Sequence, residues 1–207
     1  VERVETANGR VTGIVSNGKS YTARQYVSAV PFERFGALVP DAGIDTSAFE
    51  HSSITGVHVW FDRPVTEMAN ATLLDRSIQW FFNKDGGQYL QLVVSASSQL
   101  IEMPRQQVID LAVKELREFL PAAREAQVVK AHVVKEIRAT FSALPGLRRH
   151  RPEPATLLEH LWLAGDWTQS GWPATMEGAV RSGYRAAEFT AAALERPARF
   201  LIDRKSP

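Results

Sequence analysis

The segment LWLAGDWTQSGWPATMEGAVRSGYRAA, from Leu161 to Ala187, constrains the fold of this chain more than any other part of it. Its apolar start predicts a short buried strand that brings Gly165 and Asp166 to its carboxyl end, where α/β sheets bind ligands. The small residues after Met176 predict a thin helix that can pack close to a sheet or a flat ligand. A carboxylate at Asp166 needs hydrogen-bond donors, and ribose-like hydroxyls could supply them. The alternative is a purely structural turn before a tightly packed helix, with Asp166 as its cap.

The remainder of the chain alternates between patterns typical of strands and one clear helix. Turn signals at Asn8-Gly9 and Asn17-Gly18 predict a three-stranded meander, followed by a strand that ends at Val30-Pro31. Strand-like patterns predict a strand at 54–61, a hairpin around 84–87 and a strand at 127–141. Helical patterns predict a helix at 105–120, which Pro121 stops, and a helix at 176–194. We therefore expect a mixed α/β fold.

One motif invites a false assignment. Residues 13–20, GIVSNGKS, match the phosphate-loop pattern letter by letter. That pattern binds phosphate only between a strand and a helix, because the helix N-terminus must face the anion. Here Asn17-Gly18 is a hairpin signal and the following residues are strand-like, so nucleotide-triphosphate binding is not expected.

Composition excludes several function classes. With 24 basic and 23 acidic residues, the net charge of +1 gives no reason to expect nucleic acid as a partner. The absence of cysteine excludes disulfides and thiolate chemistry and favours a reducing, cytoplasmic compartment. The five histidines lack ligand spacing, so no metal is expected. No apolar run reaches the roughly 20 residues that span a bilayer, and the strand-like start at Val1 suggests a piece of a longer protein.

The segment at 161–187 closely resembles the C-terminal flavin-binding motif of the amine-oxidase and phytoene-desaturase superfamily. Together with YVSAVP, ITGVHVWFDRPV and RATF, it is most similar to the squalene-associated FAD-dependent desaturases, the hydroxysqualene dehydroxylase family of hopanoid biosynthesis. This resemblance implies the C-terminal half of a two-domain enzyme with a Rossmann-like FAD domain and a β-sheet substrate domain. Residues 1–50 and 143–195 would belong to the FAD domain, 51–142 to the substrate domain and 196–207 to a tail.

The resemblance also implies which residues contact FAD. Asp166 would bind the ribityl or pyrophosphate region, with Gly165 allowing close approach. The Met176 backbone N–H would lie near the pyrimidine carbonyl of the flavin, and Gly178 would face its ring. The full implied set is Gly165, Asp166, Trp172, Pro173, Ala174, Thr175, Met176 and Gly178. The glycine-rich phosphate-binding motif of the N-terminal half is not in this sequence, so that missing half is an expected partner.

The implied activity is flavin hydride transfer with a polyisoprenoid, most simply hydroxysqualene to squalene. A carotenoid desaturase or an amine oxidase is the alternative enzyme, and a non-catalytic fragment or lipid-binding module is the alternative outside enzymes. Aromatic residues Trp60, Trp80 and Phe82 could line an apolar substrate channel or simply form core. A C30 substrate makes peripheral contact with the inner membrane face plausible.

The sequence does not identify catalytic residues. An acid that helps a hydroxyl depart has three unranked candidates, Asp62, Asp75 and Glu177. The basic residues Arg148, Arg149 and Arg151 are expected to be solvated charges, and Arg185 is expected on the outer face of the last helix.

Overall fold

The computed structural model describes residues 1–202, which divide into two compact units. One unit joins Val1–Glu50 to the chain from Ala143 onwards, and the other is His51–Ser142. Both contain strands and helices, which confirms the mixed α/β class. In the part described, no helix has both the length and the apolar composition needed to cross a bilayer. The last five residues of the predicted tail at 196–207 lie outside the described residues.

The elements follow one another as ten strands and five α-helices within residues 1–202. The strands are β1 (Arg3–Ala7), β2 (Arg10–Ser16), β3 (Lys19–Tyr21), β4 (Tyr26–Ser28), β5 (His51–Phe61), β6 (Asn70–Thr72), β7 (Trp80–Asp85), β8 (Tyr89–Ser95), β9 (Val128–Phe141) and β10 (Leu161–Leu163). The helices are α1 (Phe32–Leu38), α2 (Ser98–Ile101), α3 (Arg105–Phe119), α4 (Pro121–Glu125) and α5 (Met176–Ala193), with short 3₁₀ turns at Pro40–Ala42 and Leu147–His150.

In the first unit, β1, β2 and β3 form the predicted antiparallel meander. Asn8-Gly9 and Asn17-Gly18 have positive φ at both positions, which type I′ hairpin turns require. The phosphate-loop match at 13–20 therefore lies on β2, a hairpin turn and β3 rather than before a helix, so this motif is excluded as a nucleotide site.

The other strands of the first unit are β4 and β10, which pair in parallel. Strand β4 ends at Ser28, two residues before the predicted end, and the chain then enters α1. The sequence analysis missed α1 because a helix of seven residues spans only two turns and shows little periodicity. Its Phe32 and Phe35 are buried.

The second unit is an antiparallel sheet with the order β6-β7-β8-β5-β9, covered on one face by α3. The buried side of α3 presents Val108, Ala112 and Leu116 to that sheet. The sheet contributes the remaining core residues, chiefly Val57, Val59, Phe61, Phe81, Leu90, Leu92, Val94 and Val133.

Phe119, the last residue of α3, is 41% exposed. Pro121 does not simply end the helix, since it begins the short helix α4, where proline suits the first turn. Glu115, on the buried side of α3, accepts hydrogen bonds from the backbone N–H groups of Ser77 and Ile78 at 3.1 and 2.8 Å.

Candidate functional site

The first candidate site lies in the first unit, where β4 and β10 end side by side. Parallel pairing places both carboxyl ends at one edge, and the Ala164 N–H donates to the Ser28 carbonyl at 2.9 Å. Trp167 follows β10 and is buried, and its Nε1 donates to the Val30 carbonyl at 3.1 Å. Trp167 therefore joins the chain after β10 to the chain after β4, a role that the sequence analysis missed.

Gly165 is required at this edge by the packing of Trp167. Its φ is +137°, and a Cβ built there would lie 2.6 Å from Trp167 Nε1. Its N–H donates to Ser182 Oγ at 2.7 Å, and that hydroxyl donates in turn to the Ala179 carbonyl at 2.6 Å. The space opened by the missing side chain is thus filled by an indole, and Ser182 attaches α5 to the end of β10.

Asp166 is half-buried beside a second carboxylate. Burial raises the pKa of Asp166, the Arg151 guanidinium opposes that change, and the charge of Glu33 on α1 adds to it. The Glu33 Oε2 atom is itself buried and accepts no hydrogen bond within residues 1–202. The Asp166 carboxylate accepts from the backbone N–H groups of Asp166 and Trp167, so Glu33 Oε2 is the buried acceptor here that favours a ligand with a hydroxyl group.

The loop between Asp166 and Trp172 is held by Arg151 and Arg185, which corrects the expectation of solvated charge for Arg151. Arg151 donates to the Asp166 carbonyl at 2.6 Å and to the Trp172 carbonyl at 2.7 Å. Arg185 donates to the Gln169 carbonyl at 2.5 Å and lies 3.5 Å from Glu153, so it is not an uninvolved residue of the outer face. The side chains are long and reach back across the loop, a contact that a helical repeat does not reveal.

Trp172 is 41% exposed and lies against Arg181 of α5. The Arg181 guanidinium carbon is 4.9 Å from the centre of the indole ring, and Nη1 is 3.5 Å from Glu177. This stacking holds Trp172 near the beginning of α5 while leaving part of the ring accessible.

Helix α5 begins just beyond this tryptophan. Thr175 is its N-cap and accepts from the Gly178 N–H at 3.1 Å, so the capping role considered for Asp166 belongs to Thr175. Within residues 1–202 the N–H groups of Met176 and Glu177 donate to no acceptor, and the Met176 side chain is 89% exposed. These two N–H groups and the helix dipole favour an electron-rich oxygen.

The other predicted cofactor residues lie in the same short stretch. Pro173 is exposed and Ala174 is partly buried, both immediately before α5. Gly178 is buried, and a Cβ added to it would overlap the Pro173 carbonyl oxygen. This glycine is therefore needed by the loop itself, whatever else lies nearby.

FAD matches this edge in chemistry. Its ribityl and ribose hydroxyls would supply the donor that Glu33 Oε2 lacks and would add to the backbone donors of Asp166, and its pyrimidine carbonyl is an acceptor for the N–H groups of Met176 and Glu177. The exposed part of Trp172 offers a flat apolar surface. Among residues 1–202, no cluster of three or more potential metal ligands occurs.

The second unit carries a separate aromatic face, on the side of its sheet opposite α3. It comprises His58, Trp60, Trp80, Phe82 and Tyr89. Cross-strand pairing puts them on one side of the sheet, and none of them belongs to the buried core that lies against α3. Trp60 stacks on Tyr89 at 4.3 Å between ring centres, and Trp80 and Phe82 are 6.1 Å apart.

The three candidate acids are poorly suited to hold a proton for delivery. Asp62 pairs with Arg63 at 2.8 Å and accepts from the Gln127 N–H, and these contacts lower its pKa. Glu177 forms its ion pair with Arg181 in the first turn of α5. Asp75 is exposed in a turn with φ of 56°. None of the three lies on the aromatic face.

Comparison with known proteins agrees with this chemistry. The family model described as "Flavin containing amine oxidoreductase" matches residues 1–189. Hydroxysqualene dehydroxylases of Sinorhizobium fredii and Rhodopseudomonas palustris are 34% and 35% identical, over 78% and 81% of this chain. The 15-cis-phytoene desaturase of an Oncidium hybrid cultivar is 28% identical over 91% of the chain. The matched regions cover only 36% to 38% of these relatives, so the chain spans under two-fifths of their length.

Solved structures agree on the fold alone. An oxidoreductase from Methanosarcina mazei aligns with a TM-score of 0.65 and 13% identity over 90% of this chain and 48% of that protein. Cyclohexylamine oxidase from Brevibacterium oxydans aligns with a TM-score of 0.63 and 16% identity over 94% of this chain and 48% of that protein.

The resemblance that the sequence indicated and its flavin cofactor are both confirmed by the family match, which covers nearly the whole of the described chain. The chain belongs to the flavin-containing amine oxidoreductase family.

Proposed function

We propose that this chain is part of an FAD-dependent oxidoreductase that acts on a polyisoprenoid, with conversion of hydroxysqualene to squalene as its reaction. The structural observation that carries the proposal is the buried Glu33 Oε2, which lacks a donor, near Asp166 in the unit that also contains the N-terminus of α5. Such an edge suits a ligand with hydroxyl donors and an acceptor carbonyl. The two hydroxysqualene dehydroxylase relatives support the choice of substrate.

Each predicted cofactor residue has a role in this proposal. Asp166 binds the ribityl or pyrophosphate region, and the Met176 N–H donates to the pyrimidine carbonyl. Trp172 lies by the ring, where Arg181 holds it. The remaining predicted residues line or shape the same edge and are Gly165, Pro173, Ala174, Thr175 and Gly178. Gly165 and Gly178 act there by permitting the backbone path rather than by direct contact.

The two units take different tasks in this proposal. Residues 1–50 and 143–195 belong to the FAD-binding domain, and 51–142 form the substrate-binding domain, with 196–207 as a tail. The adenosine end of FAD requires a glycine-rich phosphate loop, which residues 1–207 do not supply. We assign that task to a further segment of the complete protein.

When bound, FAD supplies hydride chemistry, and the chain supplies binding and orientation. Arg151 and Arg185 fix the loop at 166–172, and Glu33 and Asp166 accept hydroxyl hydrogens. The aromatic face, with Trp60, Trp80 and Phe82, provides an apolar wall for an isoprenoid chain.

A carotenoid desaturase is the second candidate. The similarity to 15-cis-phytoene desaturase extends over 91% of the chain, more than either hydroxysqualene dehydroxylase covers, although the identity is lower at 28%. In that case the hydride would leave the isoprenoid rather than reach it.

The substrate class also bears on location. A C30 hydrocarbon partitions into lipid, so we propose a cytoplasmic protein that makes peripheral contact with the inner face of the membrane. Flotation of the complete protein with and without liposomes tests this contact, and equal distribution in both gradients contradicts it.

The test of the proposed reaction uses the complete protein, purified with FAD and supplied with a reductant. We expect squalene from hydroxysqualene and no product from phytoene, as determined by mass spectrometry. Desaturated products from phytoene under oxidising conditions would favour the second candidate. An FAD-loaded protein that converts neither compound contradicts the proposal and favours a non-catalytic module.

A further inference from the structure

Strand β9 is the outer strand of the sheet in the second unit, and within residues 1–202 its outer edge pairs with no other strand. At 14 residues it is also the longest strand of that part of the chain. Such an edge presents a row of unpaired backbone N–H and C=O groups, which folded proteins normally cover or protect. The side chains along the edge indicate which kind of partner fits it.

Only the middle of β9 is regular. Its register with β5 runs without interruption from Lys130, opposite Trp60, to Glu136, opposite Ile54, and it shifts beyond each of these two pairs. A shift of this kind disrupts the ladder locally, so a further strand can pair best with the regular stretch. That stretch comprises residues 130–136 and is centred on Val133.

The regular stretch is complementary to a second copy of itself. Lys130 and Glu136 lie at its two ends on the same side of the sheet, because Trp60 and Ile54 opposite them are an even number of residues apart. If two copies pair antiparallel about a two-fold axis through Val133, Lys130 of each copy lies opposite Glu136 of the other. Of the other pairs, none joins two charges of the same sign, and they are Ala131 with Lys135 and His132 with Val134.

Neighbouring registers fit less well. An axis one residue further along, through Val134, places Lys130 opposite Arg138, and an axis through His132 places that histidine opposite its own copy. Like charges directly opposite one another are destabilising. Both shifts also set an irregular part of one strand against the regular stretch of the other. The axis through Val133 alone aligns the two regular stretches and joins opposite charges.

The side chains on this edge are accessible. Val129 and Ile137, which flank the regular stretch, are 63% and 59% exposed, and the same register would set each opposite the other. Glu136 has no ion pair within residues 1–202. The Lys130 ammonium lies over the Trp60 ring at 4.7 Å, and its three N–H donors leave it able to bind a carboxylate as well.

We propose that β9 is the interface of a homodimer in which two copies pair antiparallel about Val133 and join their five-stranded sheets into one. Main-chain hydrogen bonds between the two strands supply affinity, and the two Lys130–Glu136 pairs set the register. The contact uses the same surface on both copies, so it closes with two chains and leaves neither β9 edge open.

The test measures the oligomeric state of the complete protein by analytical ultracentrifugation. We expect wild type to be dimeric. Lys130→Glu and Glu136→Lys each place like charges opposite one another at both ends of the interface and should raise the dimer Kd about tenfold or more. Lys84→Glu is the matched control, because Lys84 also lies over an aromatic ring, that of Phe82, but on β7. It should dimerise like wild type.

Mixing the two variants is the sharper experiment. The edge of Lys130→Glu is acidic at both ends and that of Glu136→Lys is basic at both ends, so a heterodimer regains two pairs of opposite charge. We expect an equimolar mixture to form this heterodimer about as tightly as wild type dimerises. Its formation also shows that neither variant is misfolded.

The remaining outcomes overturn the proposal. A monomeric wild type indicates that another segment of the complete protein covers β9, or that the edge stays open. A dimer that ignores both charge changes uses another surface. Two monomeric variants that also stay monomeric when mixed exclude the register centred on Val133. The proposed function is unaffected in each case, because the reaction has no part in this test.

Discussion

The cofactor edge is the place in the first unit where β4 and β10 end, and most of it comes from one continuous segment, residues 161–187. The aromatic face of the second unit is instead formed by side chains from separate strands. At the cofactor edge, the proposed binding groups are the first N–H groups of α5 and the carboxylates of Glu33 and Asp166, and side chains such as Arg151 hold the backbone in place. On the aromatic face, the sheet holds the backbone and the side chains themselves form the surface. Substitutions that disturb the backbone at the first should therefore affect folding and cofactor binding together, while substitutions at the second should affect only substrate binding.

The largest expected effect tests the backbone side of this contrast. Gly165→Ala adds a Cβ at a positive φ and against the Trp167 indole. Backbone strain and overpacking should lower the free energy of unfolding by about 2–5 kcal/mol, as measured by urea denaturation. Gly183→Ala in α5 is the control, because nothing lies within 4 Å of its added Cβ, and it should stabilise by up to about 1 kcal/mol. Equal stability of Gly165→Ala and wild type would contradict the packing role of Trp167.

Arg151→Ala tests whether the loop at 166–172 depends on side-chain hydrogen bonds. It leaves two carbonyls without their charged donor, which should cost about 2–3 kcal/mol of unfolding free energy and weaken FAD binding in the complete protein. Arg149→Ala removes a neighbouring exposed charge and should leave both quantities unchanged. If both variants behave alike, Arg151 is only a solvated charge after all.

Asp166→Ala separates cofactor binding from structure at the same edge. The loss of a carboxylate that accepts from cofactor hydroxyls should cost about 1.5–3 kcal/mol, or ten- to a hundredfold in FAD affinity measured by flavin fluorescence. Asp166→Asn should have a milder effect. A variant that binds FAD like wild type and only melts earlier would show that Asp166 is structural.

The pH dependence of FAD affinity refines that result. Burial raises the pKa of Asp166 in the free protein, and hydroxyl donors favour its ionised form, so the pKa should fall when FAD binds. Affinity should therefore be full above the raised pKa and should decline as the pH falls through it. The decline should be absent in Asp166→Asn. A wild-type affinity that stays constant over this range would argue against contact between Asp166 and the cofactor.

The smallest effect is expected on the aromatic face. Trp60→Leu removes the stack on Tyr89 but leaves the core on the opposite face intact. We expect KM for the isoprenoid to rise about threefold to tenfold, from the loss of about 0.5–1.5 kcal/mol of aromatic contact. FAD affinity should not change. Val129→Ala is the control, because Val129 is exposed on β9 and the neighbouring Lys130, not Val129, pairs with Trp60. An equal rise in KM in this control would contradict the role of the aromatic face.

Local signals explain what could be predicted. The meander followed from two Asn-Gly turns, α3 from a helical repeat of apolar residues, and the strand and helix of the flavin motif from one contiguous segment. Each signal lies within a few residues of the structure that it specifies. Helix α1 was missed because two turns carry too little periodicity to separate it from a loop.

The sequence by itself determined most element types, the family and the segment that we propose contains the cofactor residues, because turn chemistry, periodicity and a contiguous motif are local properties. Only the tertiary structure decided that Glu33 lies near Asp166, that Arg151 and Arg185 hold the loop and that Tyr89 meets His58. These partners are far apart along the chain. Strand pairing and long flexible side chains bring them together, and neither register nor side-chain reach is encoded in any short stretch of residues.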